Sequence, residues 1–520
     1  MDSIGLCLAL IAAISLVQFS RRPKRLPPGP KGLPIIGNLL DVPLDKDFWM
    51  TFREWGHRWG EVLHMNIFGQ HFIILNSMEA TRDLLDKRGK IYSTRHSLPM
   101  FEIAEYDKLV AFEQNNKRWA DGRKLLMQFL TGRELPKLFP VVEDECSKLP
   151  ARLHANPGKL GDILEQSVVA VIMRTTYGYT PDPVHDRFTH VTFKLLDEML
   201  VAARPTNLLN IFPFCKSSIL RHLPSWLPGM GSKRLAYKFR ETMHKVVREP
   251  FEWSQEHKDD VSVSQSLVAK FQNSGLDIDD RSLAEWTAAV QFIAGADTTT
   301  FTLHAAVKAL MMYPEVQKKA QAVIDNAIGH RLPTMADRPQ LAYIDAIIKE
   351  VSRWFMLGPF GAPHSVDSDD YYKGYFIPKG SIILPNMGAV ASDPSIYPDP
   401  ENFIPERHIP SISKDNESGS DEHTDQTQLD PASYVFGFGR RVCPGKLLAL
   451  AEIWLHLATL LKVYDIVEWK SEKDGVKIEI GEDRGPTMDM PRRPSPFKCA
   501  LRLRNEASLD FVQSGAAGAL

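Results

Sequence analysis

Hydrophobic positions change their spacing several times along this chain, and each change predicts a different kind of element. Ser3 to Phe19 carries no charge, an apolar run at the short limit for a membrane-spanning helix. Arg21, Arg22, Lys24 and Arg25 follow it. A signal peptide places its basic residues ahead of the apolar run, so this order predicts a retained anchor over residues 1–20, with the basic side held in the cytosol. Residues 21–31 read as a basic, proline-rich hinge. It should be stiff and extended, because the prolines of Leu26-Pro-Pro-Gly-Pro30 fix φ and exclude helix.

From Gly32 to about Glu79 the short apolar runs Val62–Ile67 and Phe72–Leu75 predict strands of a small sheet. Residues 80–355 are dominated by helical periodicity. Within them Ser282-Leu-Ala-Glu285 has the form of a capping box and predicts the start of a long helix that stops before Pro314. A further helix is predicted from Leu341 to Phe355, and another, rich in Leu and Ala, from Leu447 to Leu461. Residues 358–390 return to strands and turns. Ser411 to Asp430 is polar and acidic and is expected to be a mobile surface loop. No internal repeat is present. The expected architecture is mainly α with a minor β portion: one large domain over residues 32–508, behind a membrane helix and ahead of a tail at 509–520.

Composition narrows the function. The 520 residues carry 62 basic and 64 acidic side chains, a net charge of −2, so no nucleic acid or other polyelectrolyte partner is implied. Cys7, Cys146, Cys215, Cys443 and Cys499 are odd in number and far apart, which argues against a disulfide framework and for a reducing compartment. No Gly-x-Gly-x-x-Gly fingerprint occurs to bind a dinucleotide.

One cysteine has unusual company. Phe436-Gly-Phe-Gly-Arg-Arg-Val-Cys-Pro-Gly445 holds Phe436, Gly439, Arg441, Cys443 and Gly445 at fixed offsets, just ahead of a predicted helix. Glycines let the backbone come close to a sulfur, and a helix N-terminus favours an anion, so Cys443 is expected as a thiolate able to ligate iron. A buried structural cysteine would leave the aromatic, the glycines and the arginine unexplained. Zinc fits poorly, since neither a Cys-x-x-Cys nor a His pair lies nearby. The run resembles the haem-binding loop of the cytochrome P450 family, the haem-thiolate monooxygenases.

The resemblance extends along the chain and implies roles for further residues. Ala294-Gly-Ala-Asp-Thr-Thr-Thr300 combines a glycine with threonines that weaken a helix interior, and threonine can bond back to the carbonyl one turn earlier. Alone it reads as a packing notch. Beside a haem loop it resembles the oxygen-binding kink of the family's central helix, with Asp297 and Thr298 as the acid–alcohol pair that relays protons. Glu350 and Arg353 lie three apart on one helix face. They resemble the family's buried charge lock, completed by Arg407 in Phe403-Ile-Pro-Glu-Arg-His408; His408 stands where the family usually has an aromatic. Arg441, Trp119 with Arg123, and His364 match the family's donors to the haem propionates. The substrate pocket is implied at Phe101, Phe112, Gln291, Phe292, Gly295, Ala296, Leu357, Phe360 and Met488, an apolar lining suited to a terpenoid or polycyclic skeleton.

What the resemblance implies is a haem b monooxygenase on the cytosolic face of the endoplasmic reticulum membrane, similar in style to fungal secondary-metabolism members. It would use O2 and a separate NADPH-dependent cytochrome P450 reductase docking at basic residues such as Arg440 and Lys446, with cytochrome b5 as a second electron donor. A reductase-independent haem-thiolate isomerase or dehydratase, or a haem carrier or sensor, remains open at this point; neither requires the Asp297–Thr298 pair.

Overall fold

The longest helix of the chain has almost no exposed face, and the rest of the molecule is arranged around it. The computed structural model describes residues 25–42, 47–96, 98–183, 185–204, 207–211, 224, 230–272, 281–409, 428–480 and 491–517. The apolar run Ser3–Phe19, most of the acidic insert, and Met488 lie outside these residues. Among the described residues no helix is long and apolar enough to cross a membrane.

In chain order the main helices are α1 (Phe48–Trp59), α2 (Pro99–Ala104), α3 (Lys117–Phe129), α4 (Phe139–Ala155), α5 (Leu160–Tyr177) and α6 (Arg187–Ala203). There follow α7 (Gly231–Glu256), α8 (Arg281–Met312), α9 (Pro314–Ile328), α10 (Ala342–Trp354), α11 (Lys446–Val463) and α12 (Ser508–Ala517). Local chemistry sets several of their ends. The Asn116 side chain accepts from the Trp119 amide (2.8 Å) and starts α3. Asp186 does the same for Thr189 (2.8 Å) at α6. Pro314 occupies the first turn of α9, directly after α8 ends.

The central helix is α8. It is packed by α3, α5, α7, α10 and α11, so apolar residues surround it and helical periodicity is faint. Ser282 does not cap it: Arg281 is already helical and its Nε donates to Glu285 (2.7 Å), which uses the glutamate of the expected box as an ordinary one-turn pair.

The β portion lies to one side. Strands β1 (Val62–Ile67), β2 (Gln70–Leu75), β3 (Thr94–Arg95), β4 (His364–Ser365) and β7 (Ile382–Pro385) form one sheet in the order β1-β2-β7-β4-β3. Only the β2–β7 pair in it is parallel. β5 (Asp370–Tyr372) and β6 (Tyr375–Ile377) form a hairpin, and β8 (Tyr464–Glu468), β9 (Ile478–Ile480) and β10 (Phe497–Leu503) a third sheet. Two expectations change. The hinge is not a free spacer from Arg25 onward: Arg25 O accepts from the Phe376 amide (2.7 Å) and Pro28 O from the His64 amide (2.9 Å). The expected tail carries α12, docked on α4 where Gly515 meets Ser147 and Ala151, with Phe511 and Val512 buried.

Candidate active site

The cysteine loop is shaped by glycines at two points. Gly437 (φ 78°) and Gly439 (φ 50°) take left-handed angles. A Cβ on Gly439 would strike the carbonyl oxygen of Leu85, so the loop rests directly on the backbone of that segment. The Cys443 amide then donates to Phe436 O (2.7 Å). The next residues turn into α11, and the amides of Gly445 and Lys446 point at the sulfur. Cys443 has accessible surface, yet burial is the largest influence on its thiol. Its open face therefore looks onto an internal hollow.

The expected thiolate belongs to the metal-bound state. Burial pushes the Cys443 thiol up, and the two amides, Arg123 and Lys446 offset this only in part. The helix N-terminus does not ionise the sulfur by itself; binding a metal, which displaces the proton, would.

Beside the loop lies a cluster of buried cations. Arg441 is 6% exposed and spends its donors on carbonyls: Nε to Ser93 O (2.7 Å), Nη2 to Glu113 O (2.6 Å) and Nη1 to Val110 O (3.3 Å). Arg95 donates to the carbonyls of Ala111, Ala362 and Pro363. Arg123 Nη2 donates to Val442 O (2.8 Å), tying α3 to the cysteine loop. Burial and then the fields of Arg95 and Arg123 push Arg441 down. The nearest carboxylate, Glu113, is already paired with Arg118 (2.7 Å). Guanidinium groups stay charged, so this cluster calls for more anion than the described residues supply.

Trp119 sharpens the point. Arg441 stacks 4.2 Å over its ring and Arg440 5.1 Å, while its buried Nε1–H has no partner among the described residues. Strand pairing sets Arg95 opposite His364. His364 Nδ1 donates to Tyr92 O (2.7 Å), and burial holds the ring neutral, so Nε2 is an acceptor until a proton arrives. Arg95 was missed from sequence; its only signal is the long-range pairing of two two-residue strands. An enclosed thiol, an orphaned indole N–H and an uncompensated cation cluster fit a haem with its two propionates. Among the described residues no three His, Cys, Asp or Glu side chains converge as a metal site. The hollow of about 340 Å³ near Phe129 and Lys270 shares no residue with this cluster.

On α8, Ala294 is exposed and Thr298 half-buried inside an otherwise buried stretch. Four residues apart, they share a face that opens onto interior space. Thr298 Oγ1 donates to Ala294 O (2.8 Å), as its sequence predicts. Asp297 is buried at 4% exposure. The opposite face is packing: the missing Cβ of Gly295 leaves room for Ile172 of α5, and Phe292 meets Tyr177 edge-on, centroids 6.4 Å apart.

The residues expected to line the pocket sit in several packing environments. Phe101 and Phe112 pack edge to face (5.2 Å) within the helical core. Phe360 instead packs on Phe52 of α1 (5.7 Å), in the small cluster beneath the sheet. Phe292 and Gly295 face α5. Gln291 and Ala296 are buried, and Leu357 is half-buried with its carbonyl accepting from the Arg492 amide (2.8 Å).

The charge lock is complete. Glu350 is fully buried and accepts from Arg353 Nη2 (2.7 Å) and Nε (2.9 Å), Arg407 Nε (3.2 Å), the Ile404 amide (2.9 Å) and His408 Nε2 (2.8 Å). Burial alone would raise its carboxyl; His408 and then Arg353 outweigh that and hold it at about 2.

Comparison with known proteins agrees with this geometry. The family model described as Cytochrome P450 matches residues 27–484. Cytochrome P450 monooxygenase 208 of Postia placenta is 34% identical over 507 residues, covering 96% of this chain and 95% of the relative. Cytochrome P450 monooxygenase COX1 of Coprinopsis cinerea is 34% identical over 528 residues, covering 99% and 98%. Cytochrome P450 monooxygenase claR of Ampulloclitocybe clavipes is 34% identical over 512 residues, covering 97% and 91%. The chain therefore belongs to the cytochrome P450 family, the haem-thiolate monooxygenases.

Proposed function

We propose that this monooxygenase inserts oxygen into a lipophilic small molecule of terpenoid or polycyclic size. It would be anchored through Ser3–Phe19 to the endoplasmic reticulum membrane, with the catalytic domain on the cytosolic side, and supplied with electrons by an NADPH-dependent reductase. The observation that carries the reading is the Cys443 thiol facing an internal hollow, with two amides aimed at it and the unpaired Trp119 N–H and cation cluster alongside. Haem bound there supplies the oxygen-activating redox chemistry.

The chain's own residues do the rest. Cys443 would hold the iron, while Arg441, Arg95, Arg123 and Trp119 would hold the propionates, with His364 joining once protonated. Glu350, Arg353, Arg407 and His408 keep the segment behind the loop in place. Thr298 rests its hydroxyl on Ala294 O and turns from it to pass a proton, refilled from Asp297. The apolar lining around Phe101 and Phe112 excludes water and favours a substrate with little charge. This pair of proton-handling residues supports oxygen activation over isomerisation or haem carriage.

The test is the reduced protein with carbon monoxide. The native chain is expected to give the strongly red-shifted Soret band of a thiolate-ligated haem, and Cys443→Ser to lose it; an unchanged band would end the reading. Metabolite profiling of a host that expresses the chain with a matched reductase then identifies the substrate.

A further inference from the structure

The packing of α5 on α8 brings an acid of α5 to within about one helical turn of the level of Asp297. The register can be read at two contacts. His304 Nε2 of α8 lies 3.3 Å from Gly161 O, near the start of α5. Gly295 faces Ile172, near the end of α5. Residue numbers rise along one helix as they fall along the other, so the two run antiparallel. Between these contacts α5 from Glu165 onward lies along α8 from Phe301 back toward Asp297.

Glu165 is half-buried, and Asp162, one turn earlier on the same face of α5, is exposed. The two acids thus step inward from the surface toward buried Asp297. The charged groups whose fields reach Glu165 are Asp297 from α8, Asp162 from its own helix and Arg493 from the segment leading into β10. Arg493 lies 5.0 Å over the Phe301 ring and 3.5 Å from Asp197 of α6. His304, the next titratable group along α8, is kept neutral by burial, its pKa at about 4.

We infer that Glu165 is a positioning residue for proton delivery, taking protons from solvent by way of Asp162 and passing them to Asp297. The inference rests on the reading of Asp297 and Thr298 as the proton-handling pair. The step is balanced: a proton leaves the Glu165 carboxyl for the Asp297 carboxylate, and the Glu165 carboxylate recovers one from solvent by way of Asp162. No electron moves. Burial first, then Asp297 and Asp162, raises the Glu165 carboxyl to about 7, against the pull of Arg493. It therefore holds a proton at neutral pH and loses it as pH rises through that value, which suits a donor working near neutrality.

The experiment compares the haem-loaded full chain with Glu165→Gln, Glu165→Asp and Asp297→Asn, each supplied with reductase and checked for an intact carbon monoxide spectrum. Glu165→Gln is expected to lower product formed per NADPH consumed by roughly three- to tenfold. KM should stay unchanged, the alkaline limb near pH 7 should vanish, and Glu165→Asp should restore most of the loss. Combining Glu165→Gln with Asp297→Asn should cost no more than Asp297→Asn alone, since both act on one path. A readout independent of turnover is the infrared spectrum of the full chain. A carboxylic acid band titrating near pH 7 is expected in the native protein and should be missing in Glu165→Gln. If Glu165→Gln keeps its coupling, its alkaline limb or that band while Asp297→Asn uncouples, the role of Glu165 is overturned and the reading of Asp297 stands. If Asp297→Asn leaves coupling intact, the reading of the pair fails and this inference falls with it.

Discussion

His408 Nε2 lies 2.8 Å from Glu350 Oε2, so the one departure from the family's charge lock is itself a member of the lock. Both side chains are at most 2% exposed. Since an ionised carboxylate only accepts, the imidazole must donate here. The residue that stands where the family usually has an aromatic thus contributes a hydrogen bond to a buried charge.

His408→Phe, which keeps the ring and removes the donor, is expected to cost about 1.5–3 kcal/mol, the range for a hydrogen bond to a charged group. Glu350→Gln should cost more, about 3–5 kcal/mol, because Arg353 and Arg407 are then buried without their anion. The native lock stabilises fully above the ordinary carboxylate pKa. That stabilisation should fade as pH falls from there toward about 2, where Glu350 takes its proton. Denaturant unfolding of the three proteins as a function of pH measures all of this; equal midpoints for His408→Phe and the native chain would remove His408 from the lock.

Trp119 offers a cleaner separation of holding haem from holding the fold. Its Nε1–H bonds to nothing among the described residues, so Trp119→Phe forfeits no hydrogen bond among them. It should leave the stability of the haem-free chain nearly unchanged and weaken haem retention by about 1.5–3 kcal/mol, roughly 10- to 100-fold. The rate of haem transfer to an acceptor protein reads this directly. A large loss of haem-free stability would mean the indole serves packing instead.

Two glycines in the cysteine loop should respond very differently to alanine. Gly439 sits at φ 50° against the Leu85 carbonyl, so alanine meets both backbone strain and a backbone clash, each about 1–3 kcal/mol. Gly445 has φ −80°, and a Cβ there would find its nearest neighbour, Cys443 Sγ, at an ordinary 3.9 Å. Its alanine variant should lose less than about 1 kcal/mol. Thermal unfolding with haem content measured alongside tests the contrast. Comparable losses at both positions would show that the loop is not braced on Leu85.

Legibility followed the range of the interactions. Cys443 and its glycines, and the pairing of Glu350 with Arg353, are set by offsets of a few residues and were readable in the chain. So were β1 and β2, whose apolar runs sit between turn residues. Arg95 was not, because it reaches the cation cluster through strand pairing with His364, which lies 269 positions later. Which way Phe292, Gly295 and Phe360 face is decided by packing against α5 and α1, which no short stretch of the chain records. The breadth of α8's burial also hid its start, where Arg281 rather than Ser282 meets Glu285.

Glu105 closes the segment that carries Phe101 and Phe112 against α7, and its removal should be felt in substrate entry before stability. The residue ends α2 at φ 62°. Its carboxylate takes Arg240 Nη2 (2.5 Å) and His244 Nε2 (2.8 Å) from α7, and Lys108 Nζ (2.7 Å) from its own segment. Burial opposes ionisation, but Lys108 and His244 prevail and hold the carboxyl below its usual range. Its partners are 28–48% exposed, so solvent screening keeps the gain small, about 1 kcal/mol or less for Glu105→Gln. As with any depressed carboxyl, that gain is whole above the unfolded pKa and is lost as pH drops through the folded value. A segment freed from α7 opens more often, so Glu105→Gln should raise both the association and the dissociation rate of a lipophilic ligand by several-fold while changing its affinity little. Stopped-flow measurement of the ligand-induced Soret shift decides the matter: unaltered rates together with lowered stability would make the contact a brace rather than a latch.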